Sequence, residues 1–329
     1  MKIAFLTEMG FEGKVQANHS NMRTEFAWMH ALDADHIYLH HYEEVSGYDH
    51  VFVIFPKGDV YLNSVGLKLS NNSNSVSKIL FFDFISILKS KNKKVHFVQE
   101  GPHWLWNDYE LYDQINYVNM IWSCDSIFCH NSFDMNYYEG MFPGKEVNVI
   151  PSLMIEELLQ DIKPNPQDKT IIGGNFARWY GGFESYTVAS NFDNPIWVQD
   201  SHAKRHQEQM MENLNHLPRL QWIDWMKELS TFKYAVHLMP TVAAGTFSLN
   251  CAYFGIPCIG NTNVDTQWLC HPELSVDVSD IRYAKALALS LKNNPDFYNE
   301  CSETAKESYY NHYSIKVFKE KMLEVLNEK

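Results

Sequence analysis

Basic residues are in short supply: 27 lysines and arginines face 40 aspartates and glutamates, a formal charge of −13 over 329 residues. That deficit argues against broad non-specific nucleic-acid binding, which rests on neutralising phosphates. It still leaves room for a local basic groove built from Lys57, Lys68, Lys78 and the run Lys89 to Lys94. Long apolar runs are missing as well. None approaches the roughly 20 residues of a membrane span, and the apolar start breaks at Thr7-Glu8, too early for a secretory signal, so a buried first strand is expected. The cysteines (124, 129, 251, 258, 270 and 301) form no CxxC pair and no zinc-finger spacing. Cys251 and Cys258, flanking Gly255 in an apolar block, read as core thiols, and the chain as a reduced, cytoplasmic protein in which the sequons at Asn18 and Asn71 carry no glycan. Histidines and carboxylates show no metal-ligand spacing, so no metal is called for.

What is present suits packed interiors: 45% hydrophobic and 14% aromatic residues. A chain of this length exceeds one ordinary core and implies two domains. Short apolar strands alternate with amphipathic helices from residue 2 onward. Strands are expected at residues 2–7, 36–39, 50–55, 95–99, 126–130 and 147–150, with helices from about Ser20, over 79–89, over 109–122 and near 133–141. The polar, proline-bearing stretch 161–168 reads as a linker between domains 1–160 and 169–309. Beyond it the alternation resumes, with strands at 170–174, 196–198, 220–223, 234–239 and 258–259 and a helical tail from Asp296 to Lys329. Strands alternating with helices imply parallel sheets covered on both faces, hence an α/β chain of two doubly wound, Rossmann-like domains. Ligands of such sheets bind outside the carboxyl ends of the strands, so the cleft where two of them face each other is the expected site.

Four segments are placed to line it. Val242-Ala243-Ala244-Gly245-Thr246 runs from an apolar strand into a helix start, where free N–H groups and the positive dipole end favour an anion, although such turns also occur with no ligand. Ala244, Gly245 and Thr246 would let a diphosphate approach the backbone. Gly174 and Arg178 follow the first strand of the second domain, and the guanidinium could clamp phosphate oxygens or merely cover Trp179. Gly13 and Lys14 follow the first strand of the first domain, where a glycine turn is routine but a lysine could meet a phosphate or an acceptor. Glu100 and His103, in Gln99-Glu100-Gly101-Pro102-His103-Trp104-Leu105-Trp106, pair a carboxylate with an imidazole suited to acid–base work or to binding hydroxyls, and Trp104 and Trp106 could stack on a ring. The alternative is a structural turn with its tryptophans buried. His237, in an apolar strand, reads as a satisfied core residue.

Together these pieces resemble glycosyltransferases of the GT-B architecture. The resemblance is carried by Asn148-Val149-Ile150-Pro151 at the handover between halves, by Arg178 and by the block from Pro240 to Pro257. It implies transfer from a nucleotide-sugar, a UDP-sugar first, bound mainly by the second domain, to a hydroxyl acceptor in the first. It also implies no metal and a C-terminal helix, about 310–329, returning to the first domain. One departure stands out: Val242 and Asn250 occupy places where many retaining members carry glutamates, so a ribose contact would fall to the Asn250 amide. A narrower similarity, to T-even phage DNA glucosyltransferases, rests on Gly10-Phe11-Glu12-Gly13, Arg23-Thr24-Glu25-Phe26-Ala27-Trp28 and Asp125-Ser126-Ile127-Phe128-Cys129-His130-Asn131. It implies a hydroxymethylated pyrimidine in DNA as acceptor and the host cytoplasm as location. A glycan acceptor, a sugar-nucleotide epimerase and a noncatalytic DNA-binding protein remain alternatives.

Overall fold

A computed structural model describes residues 1–7, 13–16, 19, 24–55, 84–108, 111–176, 179–199, 208 and 210–327. The expectations for Gly10, Arg23, Lys57, Lys68, Lys78 and Arg178 lie outside these residues. The chain divides into two compact units. One holds nearly all residues up to Ile150 together with the end of the last helix from Lys319, and the other runs from Pro151 to Phe318.

The first unit begins with β1 (Ile3–Thr7), the short β2 (Gly13–Lys14), α1 (Thr24–Ala31), β3 (Asp35–Tyr38) and β4 (His50–Ile54). A helix described over 84–91, α2, precedes β5 (Lys94–Val98). Then come α3 (Leu111–Ser123), β6 (Ser126–Cys129), α4 (Ser132–Met141) and β7 (Glu146–Val149). Its strands stand in the order β2-β3-β1-β4-β5-β6-β7, all parallel except β2 against β3. Near-continuous apolar runs such as Val51-Phe52-Val53-Ile54 are what a sheet buried on both faces requires. On one face Phe5 stacks on Phe52 with ring centroids 4.6 Å apart. On the other, Val53, Val95, Phe97 and Ile127 meet Ile85, Leu88, Ile121 and Tyr138 from the helices. Each such side chain contributes about 1.5–3 kcal/mol by leaving water.

The second unit contains β8 (Gln167–Ile172), α5 (Gly182–Ala189), β9 (Ile196–Gln199), β10 (Leu214–Leu217), α6 (Trp222–Leu229) and β11 (Phe232–His237). It continues through α7 (Thr246–Phe254), β12 (Cys258–Asn261), α8 (Asp265–Cys270), β13 (Ser275–Val276), α9 (Ile281–Asn293) and α10 (Pro295–His312). The last helix is α11 (Ile315–Asn327). All six strands are parallel, in the order β10-β9-β8-β11-β12-β13.

Two expectations change here. Residues 220–223 are not a strand: the strand lies earlier, at Leu214–Leu217, and Trp222 opens a helix. Trp222, Trp225, Met226 and Leu229 are all buried, and their spacing is helical. The tail is two helices, parted at Tyr313-Ser314. Among the described residues no helix is long and apolar enough to cross a membrane, and all six cysteines are free and buried.

Candidate functional site

In the second sheet the chain order reverses between β8 and β11, and such sheets bind ligands beyond the carboxyl ends of the strands at that reversal. The segments leaving those two ends press on each other. A Cβ on Gly173 would lie 2.5 Å from the His237 ring, and one on Gly181 would lie 1.9 Å from the Leu238 carbonyl oxygen. Gly174 sits against Tyr180 with φ of +73°.

From β11 the chain runs through Leu238 to Gly245, which precedes α7 in the left-handed region (φ 66°, ψ 28°). A side chain there would begin 2.0 Å from Thr266 Oγ1. The loop carbonyls are tied down. Gly245 O accepts from Thr266 Oγ1 at 2.8 Å, from Ser248 Oγ at 3.1 Å and from the Leu249 amide at 3.2 Å. Ala244 O accepts from the Ser152 hydroxyl. The amides of Thr246, Phe247 and Ser248 come before the first intrahelical bond, so they stand as donors at the positive end of a nine-residue helix. That arrangement suits an anion such as a phosphate.

Beneath the loop lies a cavity of about 20 Å³ lined by His237, Ala243, Gly245, Ser248 and Asn261 among others, room for one water-sized group. Burial pushes the His237 imidazole down to about 4, so the ring is neutral at pH 7. It is not the satisfied core residue that the apolar strand suggested, because it has no hydrogen-bond partner among the described residues and it faces this cavity. Asn250 is buried in α7, and its Oδ1 meets no donor. Arg178 lies outside the described residues.

At the carboxyl edge of the first sheet, the turn after β5 carries Glu100 and His103. His103 Nδ1 is 2.9 Å from Asp134 Oδ1, and Asn131 Nδ2 donates to the other carboxylate oxygen at 3.1 Å. Tyr137 and Phe133 flank the imidazole, with centroids 4.2 and 5.6 Å away. A second histidine–acid pair lies nearby in sequence: His130 Nε2 is 3.2 Å from Glu25 Oε1, with Trp28 against the ring at 5.0 Å. Trp106 stacks on Tyr117 at 6.2 Å rather than standing free.

Gly13 and Lys14 form the edge strand β2, and Lys14 Nζ lies 3.4 Å from Asp33 and 3.1 Å from Asp35. Its charge is therefore already balanced. The lysine run 89–94 sits at the amino edge of β5, opposite Glu100 and His103, where Lys89 pairs with Asp125 at 2.8 Å and Lys93 with Asp49 at 2.6 Å. It supplies no basic groove beside the turn. No group of three or more His, Cys, Asp or Glu able to hold a metal occurs among the described residues.

The sequence reading missed Asp134. An acid in the first turn of a helix that follows an apolar strand was visible, but its pairing with His103, 31 residues away, was not.

No protein family and no curated protein matches the sequence. Solved structures do match the fold. A sucrose-phosphate synthase from Thermosynechococcus elongatus aligns with a TM-score of 0.66 at 11% identity, over 99% of this chain and 98% of that one. An alpha-glucosyltransferase solved with UDP and a 13-mer DNA containing a HMU base aligns with a TM-score of 0.64 at 12% identity, over 100% of both chains. A mutant of S. aureus TarM, solved with fondaparinux, alpha-GlcNAc-glycerol and UDP, aligns with a TM-score of 0.59 at 10% identity, over 84% of this chain and 55% of that one. This chain thus spans about half the length of TarM. These neighbours are GT-B glycosyltransferases, and the fold of this chain is GT-B.

Proposed function

We propose that this protein transfers a sugar from a nucleotide-sugar, a UDP-sugar first, to a hydroxyl acceptor, and that the acceptor is a hydroxymethylated pyrimidine in DNA. The observation that carries the donor half is the loop before α7, with its carbonyls tied inward and the amides of Thr246, Phe247 and Ser248 left as donors. Neighbours of the same fold solved with UDP support the same choice. The acceptor half is supported by likeness over the full length of a structure solved with DNA containing a HMU base. An equally complete likeness to sucrose-phosphate synthase favours a second reading, a small sugar acceptor.

In the proposed reaction the acceptor oxygen attacks the anomeric carbon, the bond from that carbon to the diphosphate breaks, and the electron pair departs on the diphosphate oxygen. The amides at the α7 start, with Ala244, Gly245 and Arg178, meet that developing charge, which is the main electrostatic contribution. Because these groups answer the charge of the leaving group, the reaction is proposed to run without a metal. Gly174 shapes the same site, Asn250 is assigned to the donor ribose, and Glu100 and His103 handle the acceptor. Gly13 and Lys14 border it, with Lys14 neutralised by its aspartates.

Incubation with UDP-glucose and hydroxymethylated DNA, followed by mass spectrometry of the nucleosides, tests the reading: a hexose on the modified base is expected. Isomerised donor without acceptor would indicate an epimerase instead. Salt-dependent DNA binding with no turnover on any nucleotide-sugar would reject an enzyme. Arg178→Ala is expected to raise the barrier by about 2–4 kcal/mol; unchanged kcat would remove that residue from the leaving-group site.

A further inference from the structure

The Asp134 side chain has no solvent exposure. It lies in the first turn of α4. A buried carboxylate needs hydrogen-bond partners, and both of its oxygens have one: Asn131 Nδ2 at 3.1 Å and His103 Nδ1 at 2.9 Å. An ionised carboxylate only accepts, so the hydrogen of the second contact resides on Nδ1. In the neutral imidazole the lone pair then falls on Nε2, which makes no hydrogen bond among the described residues. The His103 side chain is 15% exposed, and it is confined by Tyr137 and Phe133, so the ring cannot turn over without unpacking them.

We infer that Asp134 is a positioning residue that holds His103 in the Nδ1–H tautomer, so that Nε2 takes the proton of the acceptor hydroxyl. This rests on the glycosyl-transfer reading and selects His103, rather than Glu100, as the base. As the acceptor oxygen attacks the anomeric carbon, its proton moves to Nε2. The resulting imidazolium is stabilised by the Asp134 carboxylate, and the electron pair of the broken glycosyl bond leaves on the diphosphate. The partners converge from two places in the chain: the turn after β5 brings the imidazole, and the start of α4 brings the carboxylate together with Asn131.

The test combines a spectrum that needs no turnover with kinetics. Nitrogen-15 NMR of the full-length protein, with the His103 signals assigned by their loss in His103→Gln, is expected to show Nδ1 protonated and Nε2 bare at neutral pH. In Asp134→Asn, which keeps the volume and whose folding is checked by thermal melting, that preference is expected to disappear. With UDP-glucose and hydroxymethylated DNA, Asp134→Asn and His103→Gln should each lower kcat by about 100-fold or more while leaving the KM for UDP-glucose unchanged. The double variant should be no worse than either single one, as for residues acting as a unit. A His103 that carries its proton on Nε2 overturns the inference, and so does an Asp134→Asn enzyme that keeps its kcat. If Asp134→Asn fails to fold, the wild-type spectrum and His103→Gln decide the matter. Wild-type protein with the expected spectrum but no transfer to any acceptor would instead sink the glycosyl-transfer reading and leave the tautomer assignment standing.

Discussion

Gly245 occupies a left-handed position with Thr266 Oγ1 standing where a Cβ would go. Gly245→Ala is therefore expected to cost about 1–3 kcal/mol of stability, from the backbone conformation alone, before any clash is counted. Urea denaturation measures it, and an unchanged midpoint would mean that the loop relaxes freely. The buried histidines set a second expectation. Burial pushes His96 down to about 3 and His271 down to about 4, from an ordinary 6.5. Between those values the unfolded chain binds protons that the folded protein refuses. Stability is then complete above about 6.5 and is lost as the pH falls toward 4. The urea midpoint should drop between pH 7.5 and pH 5, and His96→Gln, which can keep a bond to Ser126, should make the drop shallower. An equal slope in both proteins would rule out His96 as a source of the acid sensitivity. Single residues were also where the sequence was hardest to read. His237 looked like core because its neighbours in β11 are apolar, yet it stands at the strand end, where the side chain meets a cavity.

Elements were more legible, because a strand or helix writes its period into consecutive residues of the chain. The buried strands of the first sheet are apolar runs that end where the polar loops begin. The exception is instructive. Leu220-Gln221-Trp222-Ile223 taken alone is a short, mostly apolar run that suits a strand, but the pattern from Trp222 to Leu229 has helical spacing, and the longer pattern prevails. The junction of α9 and α10 was written locally: Asn294 caps α10, its side chain accepting from the Asp296 amide at 3.1 Å and the Phe297 amide at 3.2 Å, with Pro295 at the first helical position. Asn294→Ala is expected to cost about 0.5–2 kcal/mol in thermal or urea unfolding. A loss below that range would show that Pro295 alone suffices to start the helix.

For the molecule as a whole, each unit owns a sheet and a core, and the proposed donor site belongs to the second. UDP should therefore protect that unit selectively from amide hydrogen exchange, most strongly around the Gly173–Gly182 segment and the start of α7. At a hundredfold excess over its dissociation constant it should add about 2.7 kcal/mol of apparent stability. Protection confined to the first unit would place the nucleotide in the wrong half. Two parallel sheets with helices between the strands could be read from the chain, because hydrophobic periodicity and the residues that break it are local properties. So could the anion-suited helix start after β11, since a strand, small residues and a helix follow one another without interruption. Partnerships across the fold could not. His103 meets Asp134 only because β5 and β6 are neighbours and α4 starts where β6 ends. Lys14 is neutralised only because β2 pairs with β3 and brings it against Asp35. The lysine run 89–94 lies at the far edge from Glu100 and His103 because a strand of five residues separates them. Local order is encoded in neighbouring residues, whereas the side chains that meet at a site come from segments tens of residues apart, and only chain packing brings them within reach.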